Sequence, residues 1–219
     1  MHPLLSNKEF LVKQRVGMPG DPYSYDVLDP ATGKVVMTCT EPALAMPIKA
    51  LRFLSRLVPT SIVPLKLQRI LPFYLEIRTP ANFMVMSLRQ GWSIFRSRTE
   101  VLDGRGEAIG AFVQSFVKRL NTLREKEDDP STIPLLCDLR DDLDNPAATL
   151  QHESFHEFRL IQDEAELAEI SDQWTGLAKE VLTSIKHYKI TVGNSVTPDD
   201  PVRQLILAAA VWLDLCYYK

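Results

Sequence analysis

The motif with the most specific chemistry in this 219-residue chain is His-Glu-Ser-Phe-His, which includes His152, Glu153 and His156. It matches the pattern H-E-x-x-H, in which two histidines one helical turn apart share a Zn²⁺ and the glutamate polarises the metal-bound water. A zinc-dependent hydrolase would also need a third metal ligand. The downstream residues that can be considered for that place are Glu169 and Glu180.

The same segment can also be interpreted as a β-strand. From Phe155 onward, apolar and polar residues alternate, and in a strand Glu153 would lie on the opposite face from both histidines. That geometry does not bring the glutamate to a metal held by His152 and His156. We therefore expect no catalytic residue and no metal cofactor. The alternative keeps Glu153 as the catalyst and His152 and His156 as zinc ligands.

A second region has chemistry suited to binding an anionic surface. Residues 42–75 contain no Asp or Glu and carry five basic side chains, those of Lys49, Arg52, Arg56, Lys66 and Arg69. On a helix over residues 48–58, the first three would share a narrow arc opposite a broad apolar face. Such a helix can lie in a bilayer interface, where each basic residue contributes about 1 kcal/mol near anionic lipid. The alternatives are a helix that caps the fold and a groove for a protein partner.

Composition places the chain among globular proteins and limits its partners. Hydrophobic residues make up 45% of the chain, the net charge is −3 and the isoelectric point is about 5.8. This balance argues against nucleic acid as a partner. Cys39, Cys137 and Cys216 are odd in number and far apart, which indicates reduced thiols. The N-terminus has no secretory-signal pattern, so we expect a cytoplasmic protein, at most peripheral to the membrane.

Strand–turn–strand patterns dominate the middle of the chain. Short alternating runs flank turns at Asp29–Gly33 and Gly104–Gly106, and the residues before these turns repeat as Asp-Val-Leu-Asp29 and Glu-Val-Leu-Asp103. Many short strands at this spacing predict a sandwich or a barrel. Between Asp163 and Ile185, apolar residues recur every three or four positions. That spacing predicts a partly helical segment, or a strand that continues from Phe158.

The C-terminal segment predicts a buried helix. Asp200 and Pro201 are a suitable N-cap and first residue, and the uncharged run from Gln204 to Leu213 is apolar on every side. The run is about half of the roughly 20 residues that span a bilayer. We therefore expect a core helix surrounded by the rest of the chain. Core positions are also expected for the three tryptophans, Trp92, Trp174 and Trp212.

The order of these features resembles a known group of proteins. The order begins with hairpins of the type Val-x-Asp-x-x-Gly, which are followed by Ile170-Ser-Asp-Gln-Trp-x-Gly-Leu-x-Lys-Glu180. The next motif is Tyr188-x-Ile-x-Val192, and the last is an Ala-rich helix that ends in Leu-Asp214-x-x-Tyr-Tyr218. This order resembles the phospholipid scramblase and LURP-one-related families of the tubby-like superfamily. The resemblance extends over most of residues 8–219.

The resemblance implies a mainly β fold: a closed antiparallel barrel of about twelve strands around the C-terminal hydrophobic helix. It also implies a loose association with membranes. Animal scramblases carry an acidic calcium segment before the last helix, whereas this chain has Asp199 and Asp200 there. Two adjacent carboxylates supply too few oxygens for Ca²⁺, which takes six to eight. The resemblance therefore implies the fold and membrane association rather than calcium-dependent lipid translocation.

Taken together, these patterns predict one tubby-like domain over residues 1–219, with a basic amphipathic helical insertion near 43–70. We expect a non-enzymatic, scramblase-related protein that binds phospholipid or an anionic membrane surface through Lys49, Arg52, Arg56, Lys66 and Arg69. The alternatives are the zinc-dependent hydrolase and a barrel that serves as a protein-interaction scaffold.

Overall fold

A computed structural model of the chain shows a barrel wrapped around one helix. It describes residues 3–15, 22–42, 48, 50–51, 71–93, 96–115, 137–154, 156–172 and 187–215. A short 3₁₀ turn, Pro3–Ser6, precedes the barrel. The twelve strands are β1 (Glu9–Gln14), β2 (Ser24–Leu28), β3 (Val35–Thr40), β4 (Phe73–Arg78), β5 (Met84–Gln90), β6 (Arg96–Asp103), β7 (Ala108–Ser115), β8 (Cys137–Arg140), β9 (Pro146–Ser154), β10 (Glu157–Gln162), β11 (Ala165–Ser171) and β12 (His187–Val192).

The strands form one closed antiparallel barrel, which confirms the predicted fold class. Each strand pairs with its neighbours in sequence, and β12 closes the barrel by pairing with β1. Strands β2, β4 and β12 alternate between buried and less buried residues, because one face of each strand points inward. Closure leaves none of these strands with an unpaired edge.

Five tight hairpins share one end of the barrel, which we call the hairpin end. They connect β2 to β3, β4 to β5, β6 to β7, β8 to β9 and β10 to β11, and each contains a register shift in the strand pair beside its turn. In three of them an aspartate begins the turn and its carboxylate accepts backbone N–H groups. Asp29 accepts from Ala31, Asp103 from Arg105 and Glu107, and Asp141 from Leu143 and Asn145. The repeated Val-Leu-Asp sequence thus marks two copies of one hairpin design.

The central helix, α1 (Val202–Leu213), runs through the barrel interior. It begins one residue later than its sequence predicts, because Pro201 is the cap; the Asp200 carboxylate still accepts the Val202 N–H at 2.9 Å. All residues from Arg203 to Leu213 are buried, which confirms the predicted all-round burial. A fully buried Leu or Ile side chain stabilises the fold by about 1.5–3 kcal/mol, so the helix is a major source of stability.

Close contacts between wall and helix depend on side-chain size. The ring of Phe112 on β7 stacks on Trp212 with 5.3 Å between centroids. On the same strand, a Cβ added at Gly110 would lie 2.4 Å from the Arg140 carbonyl oxygen and 3.1 Å from the Leu205 side chain. A glycine is therefore required where β7 passes between its neighbouring strand and the helix.

Arg203 fastens the start of the helix to the hairpin end. Its guanidinium is buried and donates to four backbone carbonyls, those of Leu5, Asn7, Val196 and Thr197, at 2.7–3.1 Å. Burial lowers the pKa of Arg203, and the nearby charge of Asp200 opposes that shift. Because an arginine guanidinium titrates far above neutral pH, Arg203 stays charged at neutral pH. It thereby ties the N-terminal turn to the segment that leads into the helix.

The sequence left a helix or a strand open for the first part of the segment 163–185, and the structure decides for a strand. Residues 165–171 form β11, which follows β10 as the second strand of a hairpin. The two-residue turn at Asp163 and Glu164, both with positive φ, reverses the chain into a hairpin without glycine. The apolar spacing of three and four matched a helix because a register shift beside this turn interrupts the strand's alternation. Residues 173–186 lie outside the described residues.

We predict that Ala209→Leu destabilises the protein by about 1–3 kcal/mol, because Ala209 is fully enclosed and extra methyl groups have no space. Urea unfolding followed by circular dichroism measures the change. Ala81→Leu, at an exposed position, is the matched control and should shift the free energy of unfolding by less than about 0.5 kcal/mol. Equal stability of Ala209→Leu and wild type would contradict the tight packing of the helix.

Candidate functional site

The end of the barrel opposite the hairpins holds a buried polar cluster. We call it the exit end, because α1 finishes there and the chain leaves the barrel. Asp214 follows the helix directly and is 1% exposed. Its carboxylate accepts hydrogen bonds from the hydroxyls of Tyr25 at 2.7 Å and Tyr188 at 3.1 Å, which lie near the starts of β2 and β12. The cluster thus joins the end of the helix to two strands.

The two tyrosines satisfy a carboxylate that would otherwise be costly to bury. Burial raises the pKa of Tyr25 well above its ordinary value, and the Asp214 charge raises it further. The hydroxyl therefore stays protonated and remains a donor across the physiological pH range. Tyr188 and Asp214 are among the residues that carry the family resemblance, but nothing in the sequence indicated that they contact each other or Tyr25.

A second polar chain at the exit end involves Trp212. Its indole N–H donates to the Thr99 hydroxyl at 3.1 Å, and that hydroxyl donates to the Gln90 side-chain oxygen at 2.8 Å. Ser97 donates to the same oxygen at 3.0 Å, while the Gln90 amide donates to the Leu71 carbonyl at 3.4 Å. The chain of hydrogen bonds connects the core helix to the ends of β5 and β6 and to the segment that leads into β4.

Trp92, just beyond β5, is not a core residue. Its side chain is 63% exposed, so the expectation of a buried position is wrong here, whereas Trp212 is fully buried as expected. Trp174 lies outside the described residues. Single exposed apolar side chains are common on protein surfaces, and Phe83 and Leu143 at the hairpin end are also exposed. Trp92 is distinguished by its neighbours, since it borders a groove lined by Arg89 and Arg98 at the exit end of β5.

The structure separates the residues of the H-E-x-x-H motif. His152 and Glu153 lie in strand β9, so the helical geometry that the zinc alternative requires is wrong for this segment. His152 faces Phe158, with ring centroids 4.9 Å apart, and Glu153 is exposed with a carboxylate oxygen 3.5 Å from Arg159. His156 lies in the following turn, and its Nδ1 is 2.5 Å from an Asp172 oxygen. The strand interpretation is confirmed for His152 and Glu153 in β9 and for residues 157–162 in β10, whereas His156 lies in the turn between the two strands.

Within the described ranges, no three His, Cys, Asp or Glu side chains are grouped to hold a metal ion. Glu169, one of the two candidate third ligands, lies in β11 opposite Arg159, and Glu180 lies outside the described residues. The five basic residues predicted to contact lipid, Lys49, Arg52, Arg56, Lys66 and Arg69, also lie outside them. Ile48, Ala50 and Leu51 from the same segment are helical.

We predict that Tyr25→Phe destabilises the fold by about 1.5–3 kcal/mol at neutral pH, since Asp214 loses a charge-assisted hydrogen bond. Urea unfolding measures this loss. Tyr74→Phe, at a 37% exposed position, is the matched control and should have little effect. An unchanged free energy of unfolding in Tyr25→Phe would contradict the structural role of the pair.

The same pair predicts a pH dependence. In the unfolded chain a tyrosine titrates near pH 10, whereas the folded state holds the Tyr25 proton to higher pH. Its contribution to stability is therefore complete below pH 10 and is lost as the pH rises above 10. Wild type should lose stability more steeply than Tyr25→Phe between about pH 10 and 12. Parallel curves in urea unfolding over that range would contradict the assignment.

We also predict that the purified protein binds no stoichiometric zinc, because β9 and the turn after it place His152 and His156 among different neighbours. Elemental analysis after purification in zinc-containing buffer tests this. Zinc present at one equivalent and removed by His156→Ala would support the hydrolase alternative instead.

Comparisons with known proteins test the resemblance to a family that the sequence indicated. No curated protein matches the chain. An X-ray structure of a protein from Arabidopsis thaliana matches with a TM-score of 0.36 and 10% sequence identity, covering 97% of this chain and 95% of that chain. None of the helices in the described part of this chain is long and apolar enough to cross a membrane. Residues 137–219 match the family model described as Scramblase, so the resemblance to the scramblase family that the sequence predicts is confirmed over this range.

Proposed function

We propose that this protein binds anionic phospholipid at a membrane surface through the exit end of its barrel. The observation that carries the proposal is the excess of negative charge at the hairpin end. The five hairpin turns and the segment 193–201 contain nine acidic residues and two basic ones, all at the hairpin end. That end would be repelled by an anionic bilayer.

The basic segment is attached at the other end. Strand β3 ends at Thr40 and β4 begins at Phe73, so the chain between them leaves the barrel and returns to it at the exit end. Residues 42–75 carry a charge of +5, which leaves −8 on the rest of a chain whose net charge is −3. We propose Lys49, Arg52, Arg56, Lys66 and Arg69 as the residues that meet lipid headgroups.

A protein with this distribution of charge has a preferred orientation toward a negatively charged surface. Each basic residue near anionic lipid contributes about 1 kcal/mol, and screening limits the attraction to about 8 Å at physiological ionic strength. The expected binding is therefore weak, oriented and sensitive to salt. The match of residues 137–219 to the scramblase family supports a phospholipid as the ligand.

Vesicle flotation with matched charge-reversal variants tests the proposal. Wild type should float with phosphatidylserine vesicles at low salt, less at moderate salt, and not with phosphatidylcholine vesicles. Lys49→Glu/Arg52→Glu should lose at least tenfold in recovery, since it reverses about 2 kcal/mol of attraction. The control Lys34→Glu/Arg105→Glu makes the same change in net charge at exposed positions of the hairpin end and should float like wild type.

Two results would contradict this function. One is equal recovery of wild type and Lys49→Glu/Arg52→Glu under all salt conditions. The other is an equal loss in both variants, because binding would then follow net charge rather than the exit end.

A further inference from the structure

We infer that a groove beside the exit ends of β5 and β6 is a specific site for the phosphate group of an anionic phospholipid. This inference rests on the proposed function and adds to it a site made of described residues. The groove has a volume of about 480 Å³, and its lining residues are Arg89, Gln90, Gly91, Trp92, Ser93, Arg98 and Glu100.

Ion pairs hold the two arginines of the groove in place. Arg89 donates to Glu100 from Nε at 3.2 Å and from Nη2 at 2.7 Å. Arg98 donates to Asp144 at 2.6 Å, and its Nε lies 3.9 Å from Glu100. Arg140 donates to the Asp144 carbonyl at 2.7 Å. The lining itself carries two guanidinium groups and one carboxylate, that of Glu100, so a phosphate oxygen would meet more positive than negative groups among the lining residues.

The guanidinium groups of Arg89 and Arg98 are held in place by carboxylates and carry further N–H donors beyond those used in these ion pairs. A guanidinium carries five N–H donors in a planar fork that suits phosphate oxygens. The contacts to Glu100 use two donors of Arg89, and the contact to Asp144 uses one donor of Arg98. Their side chains are 60% and 40% exposed. Because the carboxylates hold the guanidinium groups in place, a phosphate would meet donors that are already positioned.

Trp92 favours a lipid in a bilayer over a soluble phosphate ester. The indole borders the groove and is 63% exposed, so it offers a large apolar surface next to two cations. Indole rings suit the membrane interface, where one side of the ring meets acyl chains and the N–H meets water. A soluble phosphate ester has no apolar part to cover this ring.

Gln90 fixes the groove relative to the basic segment. Its side chain is 2% exposed and is held by Ser97, Thr99 and the carbonyl of Leu71. Leu71 is where the described chain resumes after the basic segment, just before β4. The groove and the returning end of the segment are therefore one hydrogen bond apart. A membrane that meets the basic residues would also lie close to Arg89, Trp92 and Arg98.

Flotation of Arg89→Gln/Arg98→Gln with phosphatidylserine vesicles tests the site. We expect recovery to fall by about thirtyfold, the equivalent of about 1 kcal/mol for each arginine. Arg78→Gln/Arg159→Gln removes the same charge from two partly exposed, ion-paired arginines outside the groove, and should bind like wild type. Near-ultraviolet circular dichroism confirms that both variants are folded.

Trp92 provides a second readout that does not depend on charge. Addition of phosphatidylserine vesicles should shift the tryptophan emission of wild type to shorter wavelength, and Trp92→Phe should lack most of this shift. Phe83→Ala removes another exposed aromatic ring, 67% exposed at the hairpin end, and should bind vesicles like wild type, whereas Trp92→Ala should bind less.

Different outcomes separate the inference from the proposed function. If Lys49→Glu/Arg52→Glu loses binding while Arg89→Gln/Arg98→Gln equals its control, the groove is not a site and the membrane function stands. If wild type does not float at all, the membrane function itself fails. If glycerol phosphate stabilises the protein against heat as much as vesicles do, and only when Arg89 and Arg98 are present, the groove binds a soluble phosphate ester and the lipid assignment is overturned.

Discussion

The rest of the structure depends on one constraint, the need to cover a helix that is apolar on every side. From Leu205 to Leu213 no face of α1 can be left in water without a large loss of stabilisation, at about 25 cal/mol for each Å² of apolar surface. A sheet that packs on one side would cover half of it. A closed barrel covers all of it, and the small residues Ala208–Ala210 and Gly110 allow the wall to approach closely. The helix is thus the core around which all twelve strands are arranged.

The two ends of the helix carry charges that its own dipole does not favour. A helix favours anions at its N-terminus and cations at its C-terminus, by about 0.3–1 kcal/mol each. Here Arg203 lies at the start and Asp214 at the end. Their hydrogen bonds run to the barrel and its flanking segments instead. Arg203 donates to four carbonyls and Asp214 accepts from two tyrosines. A hydrogen bond to a charged group contributes about 1.5–3 kcal/mol, so several of them outweigh the dipole term. Both residues therefore fix the position of the helix along the barrel.

The sequence predicted the parts of the fold that depend on local patterns. The helix followed from its all-round apolarity, and the hairpins followed from alternation and from the repeated Val-Leu-Asp. For β11 the sequence left a helix and a strand open, because a register shift and a turn without glycine gave its apolar residues a spacing that also fits a helix. The H-E-x-x-H motif allowed either a helix or a strand, since only the pairing of β9 with β8 and β10 decides between them.

The candidate site was harder to predict than the fold, for a physical reason. Asp214, Tyr25 and Tyr188 are distant in sequence and meet only because the barrel closes. Arg89, Arg98 and Asp144 belong to two strands and a turn, and their pairing depends on how the strands are staggered. Trp92 was expected in the core because tryptophan usually is buried. Its exposure depends on its position just beyond β5, which a single sequence does not reveal.

The interior of the barrel is occupied by its own helix, and the described residues that a partner could reach lie at its ends and on its outer face. The hairpin end is acidic and consists of short turns with internal hydrogen bonds. At the exit end, hydrogen bonds through Gln90, Thr99 and Trp212 connect the core helix to Leu71, and Gln90 also lines the groove beside Trp92. A protein partner could bind at either end of the barrel, and net charge alone does not indicate which end it would contact. The two ends nevertheless offer chemically different surfaces, since one consists of acidic turns and the other presents an exposed indole beside two arginines.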